Sequence, residues 1–410
     1  MSEGVLFVHN NFPAQFRDLA QTLVARGVRC AAIGQANAPG VQGVRIGRYG
    51  LERGTTPGMF PFAVRAEADL IRGTGALRIA QALKAQGFEP TVIVGHPGWG
   101  ETIFLDEVWP DARQVMFAEF FYRGRGLDID FDNEFFETTE DAVLRGKAKN
   151  AVMTLALSDA EVIVAPTEFQ ASVLPSVFRP RVRVIHEGVD VDAIRPGPAE
   201  RFELPDGRSL PPGAPVITYA NNHMEPMRGL HIFARALPRL MAEVPEAQVV
   251  MFGQDNPRPY GGEPPDGKTW RAIAFDGLAV DPARLHLMGK TAHARLLAAF
   301  RLSTAHVYYT YPFVLSWSLV EAMASGCYVI GSDTPPVRDA IEDGVNGRLL
   351  PFFDVDALAQ AVIDACRAPQ AAAPLREAAR ATAVAKFSSR DGREAWIGLL
   401  RDLGVEIPAA

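Results

Sequence analysis

The residues best placed to do chemistry stand in TYPFVLSWSLVEAMASG, Thr310 to Gly326, where Glu321 follows an exposed loop on a run of small and apolar residues. Ser316 to Ala324 reads as a helix. Its first backbone amides lack intrahelical acceptors, while Glu321 lies more than a turn inside. Amides at a helix start attract an anion and a carboxylate accepts from hydroxyls, so a diphosphate on the amides with its ribose on Glu321 suits one ligand, a nucleotide sugar. His96, in VGHPGWGE, follows an apolar run, where a strand of an α/β domain ends at a ligand site. An imidazole there accepts a hydroxyl or polarises a reacting centre.

Such residues need a scaffold that gathers strand ends and helix starts. Val5 to Val8 reads as a buried strand, Pro13 to Arg26 as a helix with Phe16, Leu19, Ala20, Leu23 and Val24 on one face, and Val28 to Ile33 as the next strand after the stop at Gly27. Apolar runs recur at Thr91 to Val94, Gln114 to Phe117, Val162 to Ala165 and Val182 to Ile185. A Pro- and Gly-rich stretch, Arg195 to Pro215, reads as a linker. A second series follows, with strands at Val216 to Ala220, Gln248 to Phe252, Leu285 to Met288, Ala305 to Tyr309 and Tyr328 to Ile330, and helices at Leu230 to Ala242 and His293 to Arg301. The expected fold is α/β: a doubly wound Rossmann-like domain over 1–194, a linker over 195–215, a second over 216–386, and a last helix within 387–410 whose apolar face suits either domain. Between Asp255 and Asp281 an irregular insert reads as a surface loop.

Composition narrows the function class. The chain has 410 residues, 48% hydrophobic and 22% charged, which fits two well-buried cores and not a disordered or coiled-coil protein. A net charge of −7 argues against a nucleic-acid-binding surface. Cys30, Cys327 and Cys366 are far apart in apolar patterns, giving neither a disulfide frame nor a metal cluster. Val5 to Val8 is too short for a signal segment and no run approaches the roughly 20 apolar residues of a membrane span, so a cytoplasmic protein is expected. Up to Ala80, Arg17, Arg26, Arg29, Arg45, Arg48, Arg53, Arg65, Arg72 and Arg78 outnumber the carboxylates. That excess is either a solvated face or a contact for an anionic lipid surface or acceptor, the latter making the protein peripheral at the inner membrane face.

Four segments together carry a family resemblance: LFVHNNFPAQFRDLAQTLVARG, VIHEGVDVDAIRP, NNHMEPMRGL and YPFVLSWSLVEAMASG. The chain resembles the family-4 retaining glycosyltransferases of the GT-B type, whose two Rossmann-like domains face a central cleft. The resemblance implies a donor on the second domain, an acceptor on the first, and no metal. It makes Glu321 the donor-ribose carboxylate, and His96 the first-domain histidine that approaches the transferred sugar. Arg228 stands where the family has a lysine that stabilises the leaving diphosphate. Asn222 replaces a companion arginine, with His223, when protonated, and Lys290 after Gly289 as compensating groups. The first of the family's two glutamates falls at Phe313, leaving the amides of Leu315, Ser316, Trp317 and Ser318 to hold the sugar and phosphates. Phe12, Pro13, Ala14 and Gln15 occupy a loop whose paired glycines in relatives meet the donor phosphate; the helix start behind it still offers amides, and the alternative is that these residues shape an acceptor pocket in the cleft.

Two other spacings lead elsewhere. Gly95, Gly98 and Gly100 run G-x-x-G-x-G, the wrong order for a dinucleotide loop. Asp128, Asp130, Asp132 and Glu134 approach a calcium loop, but Asn133 and Thr139 stand where its glycine and bidentate glutamate belong, and the D-x-D at Asp128 is out of place in this architecture. The expected function is therefore metal-independent, cofactor-free transfer of a sugar from a nucleotide diphosphate sugar, UDP-hexose favoured, to a hydroxyl acceptor in glycan or polysaccharide biosynthesis. A sugar-nucleotide epimerase or phosphorylase of the same fold is one alternative. A catalytically silent nucleotide-sugar-binding protein is another.

Overall fold

Runs rich in Val, Ile and Ala form strands covered on both faces, because β-branched side chains fill a pleated surface packed between helices. A computed structural model describes residues 4–198, 201–211, 213–255 and 259–409. In it β1 (Gly4–Val8), β2 (Arg29–Gln35), β3 (Arg45–Tyr49), β4 (Pro90–Gly95), β5 (Arg113–Phe117), β6 (Val162–Ala165) and β7 (Val182–Val184) form one sheet, ordered β3-β2-β1-β4-β5-β6-β7. A second sheet holds β8 (Val216–His223), β9 (Gln248–Gln254), β10 (Leu285–Gly289), β11 (Ala305–Tyr308), β12 (Val329–Ser332) and β13 (Arg348–Leu350), ordered β10-β9-β8-β11-β12-β13. Every pairing in both is parallel. In each sheet the winding reverses beside its first strand, which opens a ligand crevice at the carboxyl ends. The two doubly wound domains expected from the sequence are both present.

The chain divides into one unit of Met1–Glu187 with Ser389–Ala410 and another of Gly188–Ser388. The division differs from the linker read at Arg195 to Pro215. That stretch lies inside the second unit, because Phe202 and Leu204 are buried in its core and Glu203 bridges Ser209; residues 199, 200 and 212 lie outside the described residues. The helix Ser389–Asp402 belongs to the first unit, where Trp396, Ile397 and Leu400 pack with Phe7, Phe16 and Phe117.

Several elements were not anticipated. β3 and β13 are short edge strands carrying Arg45, Arg48 and Arg348, too polar for an apolar-run signal. The helix Val64–Ala85 buries Asp69, Gly73, Gly75, Ala76, Ala80 and Leu83, a face of mostly small residues that shows no hydrophobic stripe. The insert after Asp255 also holds a short helix, Trp270–Ala274, anchored by the buried Trp270, whose indole N–H donates to the Gly262 carbonyl at 2.9 Å; residues 256–258 lie outside the described residues. Five of the nine arginines before Ala80 are ion-paired: Arg26 with Glu394, Arg53 with Glu67, Arg65 and Arg72 with Asp69, and Arg78 with Glu52. Their pairing favours the solvated-face reading of that excess. No helix among the described residues is long and apolar enough to cross a membrane.

Candidate active site

At the carboxyl ends of β8, β9 and β10 lies an open cavity of about 250 Å³. Its lining brings together Asn222, Gly289, Lys290 and Ser318, all expected from the sequence, with Asn221, Gln254 and His293, which were not. Ser318 stands in the first turn of the helix Trp317–Ala324, and Ser316 caps that helix by accepting from the Ser318 amide at 3.3 Å. The Ser316 amide donates to the Tyr308 hydroxyl at 2.8 Å. Two of the amides expected to face a phosphate thus have protein acceptors here, and a phosphate would displace the Ser316 or Tyr308 hydroxyl to reach them.

Glu321 lies three residues beyond Ser318, on the same helix face. Its Oε1 accepts from His293 Nε2 at 2.7 Å, and its side chain is 12% exposed. His293 opens the helix His293–Leu302, and its hydrogen bond to Glu321 raises its pKa above the ordinary 6.5 despite partial burial. Asn222 sits in a small polar net: its Nδ2 reaches His223 Nε2 and the Tyr260 hydroxyl, each at 3.2 Å, and its Oδ1 accepts from Gln254 at 3.3 Å. Burial, and then the charge of Arg228, lower the His223 pKa, which works against the positive charge read for it.

Arg228 is buried at the end of the one-turn helix Pro226–Arg228. Its Nη1 donates to the Thr310 hydroxyl at 2.9 Å and the Val314 carbonyl at 3.1 Å, and its guanidinium lies 5.8 Å from the centroid of the Phe313 ring. The Tyr311 amide donates to the Met227 carbonyl at 2.9 Å, locking this turn to the loop that leads into the Glu321 helix. Phe313 is buried beneath the arginine and packs against the cation. Gly229 makes the turn: its φ is +71°, and a Cβ there would meet Tyr309 Cβ at 2.3 Å.

In the first unit His96 follows β4 and is buried. Its Nδ1 accepts from the Gly98 amide at 3.2 Å, so the neutral ring carries its proton on Nε2, which lies 3.6 Å from Glu119 Oε2. Gln15 Nε2 donates to the other carboxyl oxygen at 3.3 Å, and the His9 ring lies 5.2 Å from His96. Burial and the neighbouring His96 push the His9 pKa down to about 3. Of the loop assigned to the acceptor side, Gln15 joins this cluster, but Phe12 is fully buried in the core beside Phe7, because that side chain gains more from apolar contact than from lining a site. Ala14 takes a φ of +40°, a conformation that costs a residue with a Cβ about 1 kcal/mol. Pro13 precedes it as the cap of the short turn Ala14–Phe16.

In the acidic run Asp130 accepts from the Gly126 amide at 2.7 Å and Asp132 from the Glu134 amide at 2.9 Å, and burial pushes the Asp128 carboxyl up to about 6. Glu119 follows β5 as His96 follows β4, so the rule that singled out His96 also reaches Glu119. His293 opens a helix just after Gly289 and Lys290, and only the folded chain sets it against Glu321.

Residues 26–194 match the family described as "Glycosyl transferase family 4 group", and residues 214–367 match "Glycosyl transferases group 1". The chain is similar to the D-inositol 3-phosphate glycosyltransferase of Mycobacterium avium, 28% identical over 235 residues, covering 57% of this chain and 52% of that protein. It thus spans about half the length of that curated relative. Among solved structures it is similar to the sucrose-phosphate synthase of Thermosynechococcus elongatus, with a TM-score of 0.69 at 19% identity over 98% of this chain and 99% of that one. It is also similar to Anabaena HepE in complex with UDP and glucose, with a TM-score of 0.64 at 14% identity over 98% and 100%. Two parallel α/β units, each covered over most of its length by one of two glycosyltransferase families, decide the matter: the chain belongs to the family-4 glycosyltransferases of the GT-B fold.

Proposed function

We propose that the protein is a retaining, metal-independent glycosyltransferase that moves a hexose from UDP-hexose to a hydroxyl acceptor in glycan or polysaccharide assembly. The observation that carries this reading is the cavity at the carboxyl ends of β8 to β10, lined by Lys290, Ser318 and His293, the last bonded to Glu321. Lys290 and the helix start at Ser318 suit phosphate, and Glu321 suits the ribose. UDP as the carrier draws support from the similar Anabaena protein, which holds UDP and glucose. Transfer breaks the bond from the anomeric carbon to the diphosphate oxygen and forms one to the acceptor oxygen on the same face. The acceptor's proton passes to the departing diphosphate. Arg228, fixed by Thr310 and Val314, stabilises the charge that develops there. His96 and Glu119 serve the acceptor side, the carboxylate accepting from a hydroxyl.

The test is a metal-free screen in which wild type and Glu321→Ala are incubated with UDP, GDP, ADP and TDP sugars and released nucleotide is measured by mass spectrometry. Release from one donor, lost in the variant, supports transfer and names the sugar. Binding of a nucleotide sugar without release, with acceptors supplied, supports a silent binder instead, and a sugar isomer without free nucleotide points to an epimerase.

A further inference from the structure

We infer that His293 is a positioning residue of the nucleotide site, holding the Glu321 carboxylate in the orientation that receives a nucleotide's ribose hydroxyls. The inference rests on the nucleotide-sugar reading of this cavity. Three observations carry it. The 2.7 Å contact lies within the range of charge-assisted hydrogen bonds, in which a ring N–H meets an ionised oxygen. One end of the pair lines the cavity, since His293 does so directly, and Glu321 stands one turn along its helix from Ser318, which also lines it. The pair is also anchored at each end on a helix, His293 at the first position of His293–Leu302 and Glu321 within Trp317–Ala324, so each backbone is fixed before ligand arrives.

A lone carboxylate turns freely about its last torsion, which is broad and two-fold. Tying one oxygen to an imidazole removes that freedom and leaves the second oxygen aimed, so ordering at binding costs less. The competing reading is a surface ion pair. Such pairs contribute about 0–1 kcal/mol to stability and nothing to ligand choice. The imidazole is 57% exposed, so its removal leaves the fold intact and the two readings separate cleanly.

The experiment is calorimetric titration of UDP, GDP and ADP, and of their dideoxyribose counterparts, into wild type, His293→Ala, His293→Gln and Glu321→Ala. Wild type is expected to prefer the natural nucleotide over its dideoxy form by about tenfold, the worth of a hydrogen bond to a charged group. Glu321→Ala abolishes that preference. His293→Ala reduces it to about twofold, and His293→Gln, whose amide donates to the same oxygen, restores most of it. An undiminished preference in His293→Ala overturns the inference, as does a wild type that binds a nucleotide without regard to its ribose. A wild type that binds none of the three nucleotides removes the nucleotide reading itself, and the inference with it.

Discussion

At the scale of single residues, the proposed function divides the work between the charge of the buried Arg228 and the shape set by the Glu321–His293 pair. Arg228 has its guanidinium set by Thr310 and Val314, so under that proposal its charge needs no reorganisation when a diphosphate departs. Arg228→Ala should lower kcat by about 100-fold, and Arg228→Lys by less, because a lysine keeps the charge and loses the planar fork. Steady-state kinetics on the donor found by the screen, with circular dichroism to verify folding, measures both. His293 makes a pH prediction. Its folded pKa lies above the ordinary 6.5, so its contribution to stability is complete below that value and is lost as pH rises through the raised one. The thermal midpoint of wild type should exceed that of His293→Gln on the acid side, with the gap closing toward alkaline pH; a gap that widens with pH refutes the assignment. Glu321 and His96 were legible in the sequence because each stands in a local pattern, a helix start or a strand end. Glu119 stands in the same strand-end pattern as His96 and was passed over, while His293 gains its meaning only from a partner 28 residues away.

At the scale of elements, the decisive piece is the turn between β8 and the helix Leu230–Glu243, where Gly229 lets the chain double back at a positive φ beside Tyr309. Gly229→Ala adds both a backbone cost and a steric clash, and should destabilise the protein by roughly 1–3 kcal/mol. The same change should disturb Arg228, which immediately precedes it, so activity should fall further than stability alone explains. Urea unfolding beside a donor-release assay distinguishes the two; wild-type stability in the variant would show that the turn tolerates the side chain. The helix carrying Glu321 was read within one residue of its observed start because Ser316 is a good cap and Trp317–Ala324 has a strong apolar face. The helix Val64–Ala85 escaped because its buried face is built of Gly and Ala, where close approach replaces large side chains.

At the scale of the whole molecule, the chain returns to its first unit at the end. Trp396, Ile397, Leu400, Leu403, Val405 and Ile407 all lie in the core that holds β1, so this segment completes a domain begun at the other end of the sequence. Trp396→Ala should cost about 3–5 kcal/mol and unfold the first unit at lower urea than the second, visible as a split transition; a single unshifted transition would contradict that packing. The sequence by itself determined the α/β class, the two doubly wound series and the local settings of Glu321 and His96, because helix and strand periods, caps and turn residues are local properties written within a few residues; Arg228 came from the family resemblance alone. Only the tertiary structure decided which unit claims the final helix, that Phe12 serves the core, that burial lowers the His223 pKa, and that His293 meets Glu321. Those outcomes depend on burial and on contacts between residues far apart in the chain, and a side chain's solvation and partners exist only once each sheet has brought its own strand ends together.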